Sequence, residues 1–162
     1  MTNALSLIRR VGLVAAFVFV SAFVFTACDK DDDVDNNNGN YTISSNASGS
    51  QMVPAVSGNG TGSMTGSYDP NTRMLTYTTN WSNLSGAPTS GGFYNGASGT
   101  AGTAVGSPWT MGSGLTANGT YSGSMTLTED QASQLTGGNW YYSLGTAANS
   151  GGEIRGQLSA TR

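Results

Sequence analysis

Two runs near the C-terminus place apolar side chains on every second residue, and they constrain this chain more than anything else in it. In the first, Trp140, Tyr142 and Leu144 alternate with smaller or more polar neighbours. After a polar turn, Thr146 to Gly152, the residues Ile154, Gly156 and Leu158 alternate with Glu153, Arg155 and Gln157. A period of two marks strands with one buried face, so Asn139 to Leu158 reads as an antiparallel hairpin with a long loop. Alternation sends Ile154 and Leu158 to the core, and Glu153, Arg155 and Gln157 to solvent or a rim.

The same period recurs upstream. Tyr41 to Ser45 is a candidate first strand. Met64, Gly66 and Tyr68 share one face of Gly62 to Tyr68, and Asp69-Pro70-Asn71 then turns the chain. Leu75, Tyr77, Thr79 and Trp81 share a face of the β-branched and aromatic run that follows. Gly119 to Leu127 repeats the pattern after an Asn118-Gly119 turn signal. Ser90 to Gly114 lacks a period and predicts loops around one short strand near Thr103 to Val105. Short alternating segments broken by glycine predict an all-β fold, an antiparallel Greek-key β-sandwich or barrel. One helix is expected over 129–136. Thr128-Glu129-Asp130-Gln131 is a capping box with both acids at the positive end of the helix dipole, and Gly137 and Gly138 end the helix after about two turns.

The N-terminal part has a different character. Arg9 and Arg10 precede an apolar run of 14 residues, Val11 to Val24, too short for a comfortable membrane span and suited to a signal-peptide core. It stops at Phe25-Thr26-Ala27-Cys28, and Cys28 is the chain's only cysteine. Residues 1–27 therefore read as a lipoprotein signal peptide with Cys28 as the acylated residue, Phe25 standing where Leu is usual. Asp29 to Asp35 carries five Asp and one Lys, a net charge of −4 in seven residues. Such a run repels itself and buries nothing, so residues 28–40 predict a disordered acidic tether, and 41–162 the β-domain. Asn36 and Thr42 stand where a calcium loop needs its Gly and its bidentate Glu, which argues against an EF-hand. The expectation is an outer-membrane lipoprotein, exposed on the cell surface and held by the lipid on Cys28.

The letters TAANSGGEIRGQL, Thr146 to Leu158, resemble the C-terminal signature of the CHRD family, named after chordin. Gly49 to Val56 (GSQMVPAV) is similar to the family's opening segment, with Met52 and Ala55 as departures. Asn83-Leu84-Ser85-Gly86 matches the turn that follows its middle strand. The resemblance implies a sandwich of immunoglobulin-like or superoxide-dismutase-like type. It also implies three histidines suggestive of a metal site. At their positions this chain carries Phe93, Asn95 and Gly145, so the resemblance implies that the family's metal site is lost here. The arginine of the motif, Arg155, admits an alternative to simple alternation: a buried residue that ties strands together by hydrogen bonds.

The available chemistry is narrow. Histidine is absent, which removes the commonest general base, His-activated nucleophiles and ordinary zinc or copper sites. Among the carboxylates, Glu129 and Asp130 serve the helix start, Asp69 sits in a turn, and Glu153 with Arg155 reads as a surface ion pair. No catalytic residue, metal ligand or cofactor is expected. From Tyr41 onward four acids face three bases, a net charge of −1, so nucleic acid is not an expected partner. Trp81, Trp140 and Tyr142 belong to the core by alternation. Phe93, Tyr94, Trp109 and Tyr141 fall in loops or on the opposite face and form the candidate contact surface for a protein or carbohydrate. The expected function is a non-enzymatic, lipid-anchored envelope domain with a binding or structural role. The alternative is a metal-binding or hydrolytic envelope enzyme whose site the sequence does not mark.

Overall fold

Alternation of the kind seen in Leu75, Tyr77, Thr79 and Trp81 needs a partner surface for its apolar face, and the computed structural model supplies one by curling a single sheet on itself. The structure describes residues 39–162; Cys28, the apolar run before it and most of the acidic segment lie outside them. Nine strands are formed: β1 (Tyr41–Ser48), β2 (Thr61–Asp69), β3 (Met74–Ser82), β4 (Pro88–Asn95), β5 (Thr103–Val105), β6 (Gly119–Thr126), β7 (Trp140–Thr146), β8 (Ile154–Gln157) and β9 (Ser159–Thr161). One helix, α1 (Glu129–Thr136), lies between β6 and β7. The fold is all-β and antiparallel throughout, with the strand order β5-β4-β7-β8-β1-β2-β3-β6 and β9 beside β1. The one long strand that the sequence conceals is β4, because Gly91 and Gly92 remove two side chains from its alternation.

β3 and β4 are distant in the strand order yet face each other, since the ring of Tyr77 packs edge-on against Phe93 at 4.8 Å. Trp109, from the loop after β5, fills the space between the two halves. It meets Phe93 edge-on at 5.2 Å and stacks on Tyr121 of β6 at 5.0 Å. Such ring pairs contribute about 0.5–1.5 kcal/mol each beyond the area they bury. Gly91 makes the insertion feasible, because a Cβ there would sit 2.8 Å from Trp109 Cε3. Ile43, Leu75, Trp140, Tyr142, Leu144 and Ile154 complete the buried interior.

The C-terminal hairpin pairs antiparallel as expected, with Tyr142 opposite Gly156 and Leu144 opposite Ile154. Just past it the chain changes partner. β8 pairs with β7 and also meets β1 at Arg155 opposite Ser48, whereas β9 leaves β7 and pairs with β1 through Ala160 opposite Ile43. The hinge is Leu158, whose N–H donates to Trp140 O at 2.8 Å. α1 starts as its sequence demands: Gln131 N–H donates to Thr128 Oγ1 at 3.2 Å, and Thr128 N–H donates to Gln131 Oε1 at 3.0 Å. Leu135 then buries the helix's inner face.

Candidate functional site

Strand β4 decides which of the candidate aromatics reach the surface. Alternation along it turns Phe93 inward and Tyr94 outward. Phe93 and Trp109 are 2% and 7% exposed and belong to the core, so the expected exposed patch of four aromatics does not form. Tyr141 points outward from β7, opposite Tyr94, and the two rings stack at 5.1 Å and 11°. Tyr141 is nevertheless only 6% exposed, because Arg155 lies over its ring at 3.5 Å and its hydroxyl accepts from Gly102 N–H at 3.1 Å. Only Tyr94 retains appreciable exposure.

Glu153, just ahead of β8, and Arg155 within it also depart from the expected surface ion pair. Glu153 and Arg155 are 3% and 2% exposed and bond to separate partners. The physical reasons differ: the loop carrying Ala97 and Thr100 folds over the outer face of β8 at Arg155 and makes a second interior there, whereas the Glu153 carboxylate sits at the edge of the main core, beside Leu84 and Ile154. The Glu153 carboxylate accepts from Ser85 N–H (2.7 Å), Ser85 Oγ (2.5 Å), Thr146 Oγ1 (2.6 Å) and Asn149 Nδ2 (3.3 Å). Burial is the largest single influence on its pKa and pushes it up. The Ser85 and Thr146 hydroxyls, the Ser85 N–H and the Asn149 amide together outweigh burial, so the carboxyl titrates below its ordinary value. The Asn83-Leu84-Ser85-Gly86 turn is thereby tied to the β7–β8 loop.

Arg155 ties down a different segment. Its Nη1 donates to Thr100 O (2.6 Å), and its Nη2 donates to Ala97 O (2.8 Å) and Gln157 Oε1 (3.1 Å). Gln157 adds bonds from Nε2 to Gly96 O (3.0 Å) and Gly138 O (2.9 Å). Of the two accounts of the motif's arginine, the structure adopts the buried, hydrogen-bonded one, with the difference that the bonds tie down the loop between β4 and β5 and not a second strand. Burial lowers the Arg155 pKa, which leaves a guanidinium charged at any physiological pH. Above the Arg155–Tyr141–Tyr94 row is a cavity of about 210 Å³, walled by Met52, Val53 and the two tyrosines with Ser143 and Arg155 below. The loop wall across it is short of side chains, being Ala101 and Gly102. Sequence reasoning placed Tyr94 and Tyr141 together, but it had no signal that Met52 or Ser143 would join them.

The three positions that stand against the family's histidines do not converge. Asn95 pairs with Trp140 at one end of the β4–β7 ladder, and Gly145 pairs with Ser90 near the other. Five residues of strand separate Trp140 from Gly145, roughly 17 Å at 3.4 Å per residue. Phe93, between them, faces the core. Among the described residues no three His, Cys, Asp or Glu side chains gather as metal ligands would.

An antiparallel sheet curled around an aromatic core, with a charged, hydrogen-bonded second layer over its last hairpin, defines the β-domain. Residues 43–158 match the model of the CHRD domain, and the chain belongs to that family. The family is one of non-catalytic β-domains, which fits a binding or structural role. Neither the curated proteins nor the solved structures contain a match to this chain.

Proposed function

We propose that this protein is a lipid-anchored binding domain of the cell envelope, carried on the outer membrane by an acyl group on Cys28 and catalysing no reaction. The anchoring rests on the sequence alone: one cysteine, placed where an apolar run of signal-peptide length stops. The binding role rests chiefly on the cavity beside Arg155, a recess lined by a cation, two hydroxyl-bearing rings and apolar walls, with no acid–base pair to drive chemistry. The acidic run after Cys28 resembles an export signal and would carry the domain clear of the membrane to the cell exterior.

Cys28→Ser tests the anchor. The variant should appear as an uncut precursor or be released from the membrane fraction. A processed, membrane-bound variant would overturn the lipoprotein assignment. Metal analysis of the purified protein addresses the rival class, because stoichiometric copper or zinc would replace the non-catalytic reading with a metalloprotein whose ligands include no histidine.

A further inference from the structure

Arg155 is a buried cation with no carboxylate partner among the described residues. It is 2% exposed, and the only ion pair among the described residues is Arg73 with Glu129 at 3.9 Å. Glu153, two positions away in sequence, is committed to four donors from Ser85, Thr146 and Asn149. Of the five N–H donors of a guanidinium, three are used: one from Nη1 to Thr100 O and two from Nη2. The Nε–H and the second Nη1 proton have no acceptor among the described residues. The sealed side-chain atoms without a partner are Asn40 Oδ1, Ser45 Oγ, Thr79 Oγ1 and Tyr142 Oη. Nε is not one of them, and Arg155 lines the cavity.

The rest of the cavity matches that donor. Tyr141 accepts from Gly102 N–H, so its own proton remains to donate, and the Tyr94 hydroxyl beside it makes no bond to described residues. No carboxylate lines the recess, and Met52 and Val53 supply an apolar wall. We infer that this cavity binds a small ligand through a single carboxylate, which supplies Arg155 with the counter-ion that the described residues do not. A carboxylate balances one charge and needs only one oxygen on the free Nε–H, whereas a phosphate brings a surplus. At about 210 Å³ the space falls below the usual range for drug-sized ligands, roughly 300 Å³ and more. The occupant is therefore either a small acid or the acidic end of a larger molecule. Two sources share this chemistry: a chain-terminal peptide carboxylate and a uronic sugar, whose ring has the Tyr94 face to lie on.

The inference gives a chemical identity to the binding role proposed above, and rests on it. The test is titration of the purified protein by amide chemical-shift mapping with N-acetylglycine and glucuronate, each beside its neutral counterpart, N-acetylglycinamide and glucose. At least one acid should shift Gly102, Ser143 and Gly151 saturably below about 10 mM, with its neutral partner at least about tenfold weaker. Which acid responds identifies the source. Tyr94→Ala, a partly exposed position outside the Arg155 network, should weaken that response about 2- to 10-fold. Arg155→Gln should abolish it. If Arg155→Gln does not fold, the acid-against-neutral comparison still decides. No shift from either acid, an equal response to the neutral partners, or an equal response to inorganic phosphate would each overturn the inference. A failure here leaves anchoring and general partner binding standing, since those are read by fractionation and metal content.

Discussion

Replacing Arg155 by Ala is the most informative single perturbation, because two physical accounts of the same strand disagree about it. If the outer face of β8 were solvent, the change would cost under about 1 kcal/mol, as for an exposed ionic contact. In the folded chain Arg155 makes three hydrogen bonds from a charged donor and covers the Tyr141 ring at 3.5 Å. Hydrogen bonds to charged groups contribute roughly 1.5–3 kcal/mol each, and a partly desolvated cation–π contact roughly 1–2 kcal/mol. Against this stands the desolvation of a cation without an acid partner, several kcal/mol by itself. The freed carbonyls of Ala97 and Thr100 also regain water through the adjoining cavity. The net cost should be about 3 kcal/mol, a fall in melting temperature on the order of 10 °C for a domain of this size. Ile154→Ala, on the inner face and fully buried, should cost about 2–5 kcal/mol. Equilibrium denaturant melts of both variants give the magnitudes. Limited proteolysis gives the location: cleavage between Ala97 and Ala101 should accelerate in Arg155→Ala and not in Ile154→Ala. A cost under about 1 kcal/mol with unchanged proteolysis would refute the tie, and with it the second buried layer.

Other expectations follow from the same geometry. The folded pKa of Glu153 lies below its unfolded value of about 4.3, so its contribution is complete above that pH and is lost as pH falls through the folded value. Glu153→Gln should therefore cost about 2–4 kcal/mol at neutral pH and flatten the loss of stability below about pH 4.3, measured by urea melts across pH; an unchanged acid limb would refute the assignment. Tyr142→Phe removes a buried hydroxyl with no partner among the described residues, and should be neutral or stabilising by up to about 1 kcal/mol; a loss above about 1 kcal/mol would reveal a hidden bond. Changing Asp31, Asp32, Asp33 and Asp35 to Asn should leave the melting temperature nearly unchanged, while a fall of several degrees would show that the run packs on the domain or holds an ion.

Much of this architecture was legible because it is local. Tyr68, Leu75, Tyr77, Trp81, Trp140 and Tyr142 sit inward as their two-residue period requires, and Thr128 with Gln131 closes the capping box that their spacing spells. β4 was not legible, since a strand whose middle is Gly91-Gly92 presents no alternation to detect. The misplacement of Phe93 and Trp109 follows from that one gap. Once β4 is a strand, Phe93 must face the core, and Trp109 follows it through its N–H bond to Gly91 O at 2.8 Å.

The sequence by itself determined that the domain is all-β, which residues of its alternating strands line the primary core, where α1 begins and which family the chain joins. Only tertiary structure decided the fate of Glu153 and Arg155. Alternation distinguishes the two faces of a strand, but it carries no information about what later covers either one. Arg155 meets Ala97 across 58 residues of sequence, and Glu153 meets Ser85 across 68. Both burials depend on loops with no period of their own. A charge on the outer face of a strand costs nothing in water. Only when the chain folds over it must hydrogen bonds from distant segments take the place of that water.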